Sequence, residues 1–133
     1  MNARFNKKVL KEKIVFIASQ KERIAVYNLD VIDFMDQVLI GYPINNLFIN
    51  FDPPYVKKGP ELYLNHFSKE DHEKLRDRVT QFNRYWIITY DFNCEIVDLY
   101  NAFRYERIQL IHSAGKSKIG EEILIYSDNL EPN

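Results

Sequence analysis

One cysteine, Cys94, stands among 133 residues, which excludes a disulfide framework and any cysteine-built metal site. A reducing compartment, and so the cytoplasm, is the expectation, with Cys94 a small, partly buried side chain. Glycine is scarce as well. The four glycines fall at 41, 59, 115 and 120, and no two have the Gly-x-Gly spacing of a ligand-cradling loop. No apolar run approaches the roughly 20 residues of a membrane helix, and the basic start MNARFNKKVLKEK lacks the apolar core of a signal peptide. Charge of one sign is also missing. With 18 basic against 19 acidic residues the formal net charge is −1, whereas a full DNA footprint normally shows as a clear basic excess. His66 and His112 have no metal-ligand spacing, so no metal is assigned.

What is present suits one soluble globular domain over residues 1–133. Hydrophobic residues make up 46% and charged residues 28%, and nine Tyr and nine Phe promise an aromatic-rich core. From Phe5 to Ser19, Leu10, Ile14 and Ile17 recur at helical spacing among lysines, which predicts an amphipathic helix. Ile24 to Tyr27 reads as a short strand. Asp30 is placed to cap a short helix carrying Val31, Phe34, Met35 and Val38, broken by Gly41-Tyr42-Pro43.

Leu47 to Phe51 suits a buried strand. Pro53, Pro54 and Pro60 with Gly59 then hold the chain in a loop. Ser68-Lys69-Glu70-Asp71 resembles a capping box that opens a helix with Leu75, Val79 and Phe82 on one side. Tyr85 to Tyr90 is a second buried strand, and Asn93 can cap a long helix carrying Ile96, Leu99, Tyr100 and Phe103. Ile108–His112 and Glu122–Tyr126 flank a loop from Ser113 to Gly120, which predicts a terminal hairpin. Alternating strands and helices imply an α/β fold with a mainly parallel sheet.

The most informative stretch is Asp52-Pro53-Pro54-Tyr55. A match to (Asp/Asn/Ser)-Pro-Pro-aromatic arises by chance in a chain of this length about once in a hundred. It could be no more than a rigid turn with Tyr55 packed beneath it. However, it directly follows a buried strand, and ligands of open α/β sheets sit just beyond the carboxyl ends of strands.

The segment NLFINFDPPYVKKGPELYLNHFSKEDHEKLRDRV resembles the catalytic segment of Dam-type N6-adenine DNA methyltransferases. The matching features are an apolar strand, Asp52 to Tyr55, a loop with Tyr63 ending in Phe67, Asp71-His72 and Leu75. Later features are also similar: Thr89-Tyr90-Asp91, Leu99-Tyr100 with Phe103, and a final hairpin with Lys116 and Glu122 to Ile125. The resemblance runs from about residue 5 to the end.

It implies a partial S-adenosylmethionine-dependent, Rossmann-like fold with a C-terminal antiparallel hairpin. The implied activity is methyl transfer from S-adenosylmethionine to adenine N6 in double-stranded DNA, with the target base flipped out of the duplex. Asp52 and the Pro53 carbonyl would accept the amino hydrogens, Pro54 would stiffen the loop, and Tyr55 would stack on the base.

Other residues keep two readings. Asp30, on a segment similar to the family's acidic element near the cofactor adenine, either touches cofactor together with Asp52 or only caps its helix. Tyr63 and Phe67 either shape the base pocket or pack. Lys57 and Lys58 either meet a phosphate or lie solvated. Asp71-His72 reads as serving the start of its helix.

The family's Phe-x-Gly-x-Gly cofactor loop has no counterpart in these 133 residues, and most of the target-recognition insert is missing with it. The resemblance then implies a bare edge on the Leu47 strand. Either the Ile24 strand fills that edge or a second chain does, as a homo-oligomer or as a partner carrying the loop. The expected function is therefore that of a split or truncated adenine methyltransferase of the kind found in restriction-modification. The alternatives are a non-catalytic remnant retained for binding, or an amino-methyltransferase acting on another substrate such as RNA.

Overall fold

The computed structural model describes residues 6–56, 67–112 and 118–130, with backbone alone at 110–112 and 118–119. The chain divides into two compact units, Met1–Asp30 and Val31–Asn133.

In the N-terminal unit, helix α1 spans Lys7–Ser19, its start capped by the Asn6 side chain accepting from the Val9 N–H. None of its residues is buried, and Ile14, Phe16 and Ile17 are more than half exposed. The strand expected at Ile24–Tyr27 does not form: among the described residues this segment joins no sheet. Its β-branched residues favour extended backbone, and Ile24 is extended, but a strand is stable only where a neighbour pairs with it.

The second unit is an α/β layer built on a four-stranded mixed sheet. Helix α2 covers Val31–Gln37, followed by short 3₁₀ turns and strand β1, Phe48–Phe51. Helix α3, Lys69–Thr80, opens on a complete capping box: Asp71 N–H donates to the Ser68 hydroxyl, and Ser68 N–H donates to the Asp71 carboxylate. Strand β2 is Tyr85–Asp91, α4 is Cys94–Leu99, β3 is Tyr105–His112 and β4 is Lys118–Tyr126.

Among the described strands the order is β1-β2-β4-β3. The pair β1/β2 is parallel, whereas β2/β4 and β3/β4 are antiparallel. The sheet is thus mixed, not mainly parallel. The expected C-terminal hairpin forms, but its second strand inserts between β2 and β3. These two point the same way, and the reversed β4 between them turns both neighbouring pairings antiparallel.

Other expectations shift as well. The helix starting after Asn93 has only six residues, because the chain turns at Tyr100, with Phe103 N–H donating to the Tyr100 carbonyl, to enter β3. Tyr100 and Phe103 nevertheless pack against the core. Gly120 pairs with Leu110 within the hairpin instead of lying in its loop. Cys94 is exposed, not partly buried, on the first turn of α4.

The core lies on one face of the sheet. Along β2, Trp86, Ile88 and Tyr90 are buried alternately, as period-two geometry requires, and Ile123 and Ile125 of β4 lie beside them. Leu75 and Val79 of α3, Met35 of α2 and Ile96 of α4 close over this layer. Arg78 of α3 bonds Asp36 of α2 and stacks on the Phe82 ring, which ties the two helices together at the surface.

Candidate active site

Strands β1 and β2 run parallel with Phe51 opposite Ile88, so their carboxyl ends lie at the same end of the sheet. The chain leaves β1 there through Asp52-Pro53-Pro54-Tyr55. Neither proline has an N–H to continue the ladder, and each fixes its own φ near −65°. Pairing therefore stops at Phe51, and the next residues project beyond the sheet as a stiff loop. Asp52 is exposed, while Pro53, Pro54 and Tyr55 are half-buried.

Two side chains from neighbouring strands hold the far side of this loop. The Tyr55 hydroxyl donates to Glu122 Oε1 at 3.0 Å, and the Val56 N–H donates to Asp91 Oδ1 at 3.0 Å. Asp91 of β2 and Glu122 of β4 sit opposite one another in register and are both buried, at 7% and 8% exposure. Burial holds the Tyr55 phenol well above its ordinary value, with Glu122, Asp52 and Asp91 adding to the shift. The hydroxyl stays protonated across the physiological range and remains a donor.

On the other side of the loop, Asp52, Pro53 and Pro54 line a cavity of ≈ 350 Å³. Its remaining walls are largely apolar: Phe34 of α2, Leu39, Ile49 of β1, Phe67 and Leu75. One carboxylate, Asp52, thus stands beside aromatic and aliphatic walls. Phe67 also lines a second, smaller cavity of ≈ 100 Å³ with Val56, His72 and Glu95.

Thus Asp52, Pro53, Pro54 and Phe67 meet at one cavity, while Tyr55 is tethered beside them to Glu122. Asp30, exposed, is the last residue of the N-terminal unit and directly precedes α2. Lys57, Lys58 and Tyr63 lie outside the described residues. Among the described residues no group of three or more His, Cys, Asp or Glu could hold a metal ion, and no helix is long and apolar enough to cross a membrane.

Sequence reasoning assigned no role to Asp91, Glu122 or Phe34. A signal existed for the first two: Asp91 closes the β2 run and Glu122 directly precedes the apolar run Ile123 to Ile125 of β4. Their pairing across β2 and β4 was not legible before the strand order was known.

Behind the loop, His72 is buried on α3 with Nδ1 2.9 Å from the Tyr90 hydroxyl, and Phe67 packs on its ring with centroids 5.3 Å apart. Burial lowers the imidazole below its ordinary 6.5, while Asp71 and Asp91 pull the other way. Because the folded value is depressed, the unfolded chain binds the proton first as pH falls. The stability linked to His72 is therefore complete above about 6.5 and declines as pH drops toward the folded value. His72→Gln, which keeps an acceptor for Tyr90, should lose less melting temperature than the wild type between about pH 7.5 and about pH 5.5. Parallel curves for the two proteins in thermal melts would remove His72 as the source.

A comparison with models of known protein families gives no match, and no curated protein matches the chain.

Proposed function

We propose that this chain is the catalytic portion of an N6-adenine DNA methyltransferase, transferring a methyl group from S-adenosylmethionine to a flipped adenine. The observation that carries the reading is the position of Asp52-Pro53-Pro54-Tyr55: it follows a parallel strand at its carboxyl end, and its first three residues line a largely apolar cavity. The residues fit a purine on two counts. A volume of ≈ 350 Å³ leaves ample room for the ring, and Phe34 and Phe67 offer aromatic surface.

The N6 amino group of adenine is a poor nucleophile because its lone pair is delocalised into the ring. Asp52 and the Pro53 carbonyl accept its two hydrogens, which turns the lone pair out of conjugation and toward the methyl donor. S-adenosylmethionine, when bound, supplies the methyl group on a cationic sulfonium. Asp52, being exposed, would hand the surplus N6 proton to water once the methyl group is transferred. The exposed Asp52 carboxylate on the lining of this cavity favours a cation there. Tyr55 lies outside the cavity lining, so the aromatic contact to the flipped base comes from Phe34 and Phe67, and Tyr55 serves the loop through its bond to Glu122.

The glycine loop that would cradle the rest of the cofactor is not among these residues, so the proposal includes a second chain or further segment that supplies it. The edge of β1 away from β2 suits that role. Among the described residues no strand pairs there, and Phe48 on it is 57% exposed. The same edge on a second copy would give a homo-oligomer.

Calorimetric titration of the purified chain with S-adenosylmethionine, beside Asp52→Ala, tests the reading. Micromolar binding that the variant loses would mean that the cofactor site survives in these residues or is rebuilt across an oligomer. Failure to bind up to millimolar cofactor would show that the chain alone is catalytically inert, and an inactive methyltransferase-like binding module becomes the better description.

A further inference from the structure

The two buried carboxylates behind the motif loop have no part in the transfer chemistry, yet each accepts a hydrogen bond from the loop. We infer that Asp91 and Glu122 are positioning residues that fix the pose of Asp52 and Tyr55, a role that rests on the methyl-transfer reading of the same site.

Two like charges set directly opposite on neighbouring strands destabilise a sheet, and burying them adds a desolvation penalty. Apolar residues at 91 and 122 would extend the packed core at lower cost. What the carboxylates provide instead is two strong acceptors at the rim where the loop passes. Asp91 takes the backbone N–H of Val56, and Glu122 takes the side-chain hydroxyl of Tyr55, each at 3.0 Å. Between Asp52 and Tyr55 the prolines have no N–H to offer, and these two bonds anchor the chain just past them.

Upstream, Asp52 is fixed by the β1 ladder, where Phe51 pairs with Ile88. The stiff diproline unit is therefore held at both ends by a rigid sheet, and Asp52 sits between fixed points. Held in this way, the backbone at Asp52 keeps a fixed path past the cavity, so the carboxylate starts from a set Cα position on its lining.

Hydrogen exchange of the Val56 amide, followed by NMR in the full chain, tests the Asp91 anchor. Asp91→Ala should speed Val56 exchange about tenfold, the loss of one hydrogen bond, whereas Asp91→Asn, which retains an acceptor oxygen, should stay within about threefold of wild type. The amide of Ile88 in β2 should change by less than about twofold in both. Unchanged Val56 exchange in Asp91→Ala overturns the inference. So does equal acceleration at Ile88, which would make Asp91 a general fold residue.

A fluorotyrosine at position 55 reports on the second anchor: its resonance should move in Glu122→Ala and return in Glu122→Gln, and a resonance indifferent to both overturns it. If Asp91→Ala does not fold, Tyr55→Phe decides, since it removes one anchor without opening a cavity. Val56 exchange should then rise about threefold, and no rise overturns the coupling. None of these readouts needs cofactor or turnover, so failure of the anchors and failure of the methyl-transfer reading are seen in separate experiments.

Discussion

Asp52→Ala should lower methyl transfer to adenine by about 10²–10³-fold while moving the melting temperature by no more than about 2 °C. The two halves of that expectation come from the same geometry. Asp52 is exposed, lies past the last ladder pair of β1 and contributes nothing to the core, so its removal opens no cavity. In the proposed reaction its carboxylate is also half of the acceptor pair for the N6 amino group, and losing one preorganised polar partner from a transition state typically costs a few kcal/mol. Asp52→Asn should recover little, because an amide presents a donor beside its acceptor and carries no charge. The assay is tritium transfer from labelled S-adenosylmethionine to adenine-containing duplex DNA, with the chain supplemented by a methyltransferase fragment bearing a Phe-x-Gly-x-Gly loop. Equal rates for wild type and Asp52→Ala would refute the assigned role.

Trp86→Ala is expected to have the largest effect on folding. Trp86 is 2% exposed near the start of β2, packs against Phe103 with ring centroids 5.4 Å apart, and its strand pairs with both β1 and β4. Truncating a buried tryptophan removes about 3–5 kcal/mol, against about 5–15 kcal/mol for a whole domain. The melting temperature should fall by about 10–20 °C. Because Trp86 is the only tryptophan, the melt must be followed by far-ultraviolet circular dichroism instead of indole fluorescence. Phe48→Ala is the control: on the open edge and 57% exposed, it should shift stability by about 0.5 kcal/mol or less. A Trp86→Ala melt as mild as that of Phe48→Ala would mean the β2 core is misplaced.

Local signals were the legible ones. Ser68 to Asp71 announced its capping box because both halves of that motif lie within one turn, and the β2 strand showed in an apolar run bounded by polar residues. Asp52 to Tyr55 was readable because prolines restrict the backbone wherever they occur. What escaped depended on distant neighbours. Ile24 to Tyr27 has the composition of a strand, but composition does not supply a pairing partner. The helix after Asn93 kept its apolar spacing past the point where the chain turned, since Tyr100 and Phe103 can face a core from a turn as well as from a helix. The position of β4 between β2 and β3 left no mark on the local pattern, and the Asp91–Glu122 pair was hidden with it.

The inner position of β4 has a consequence for biosynthesis. Although it follows the other three strands in sequence, it is the strand that joins β2 to β3. A nascent chain that has emerged only as far as β3 can form the parallel β1–β2 pair, but β3 has nothing to dock against. Glu122 arrives with β4, so Tyr55 waits for its acceptor until that strand closes the sheet. Long-range pairings of this kind form slowly, because loop entropy is lost before contacts repay it. During translation β2 therefore presents an unsatisfied edge for as long as the hairpin is incomplete, which makes this interval the one most exposed to aggregation or chaperone capture.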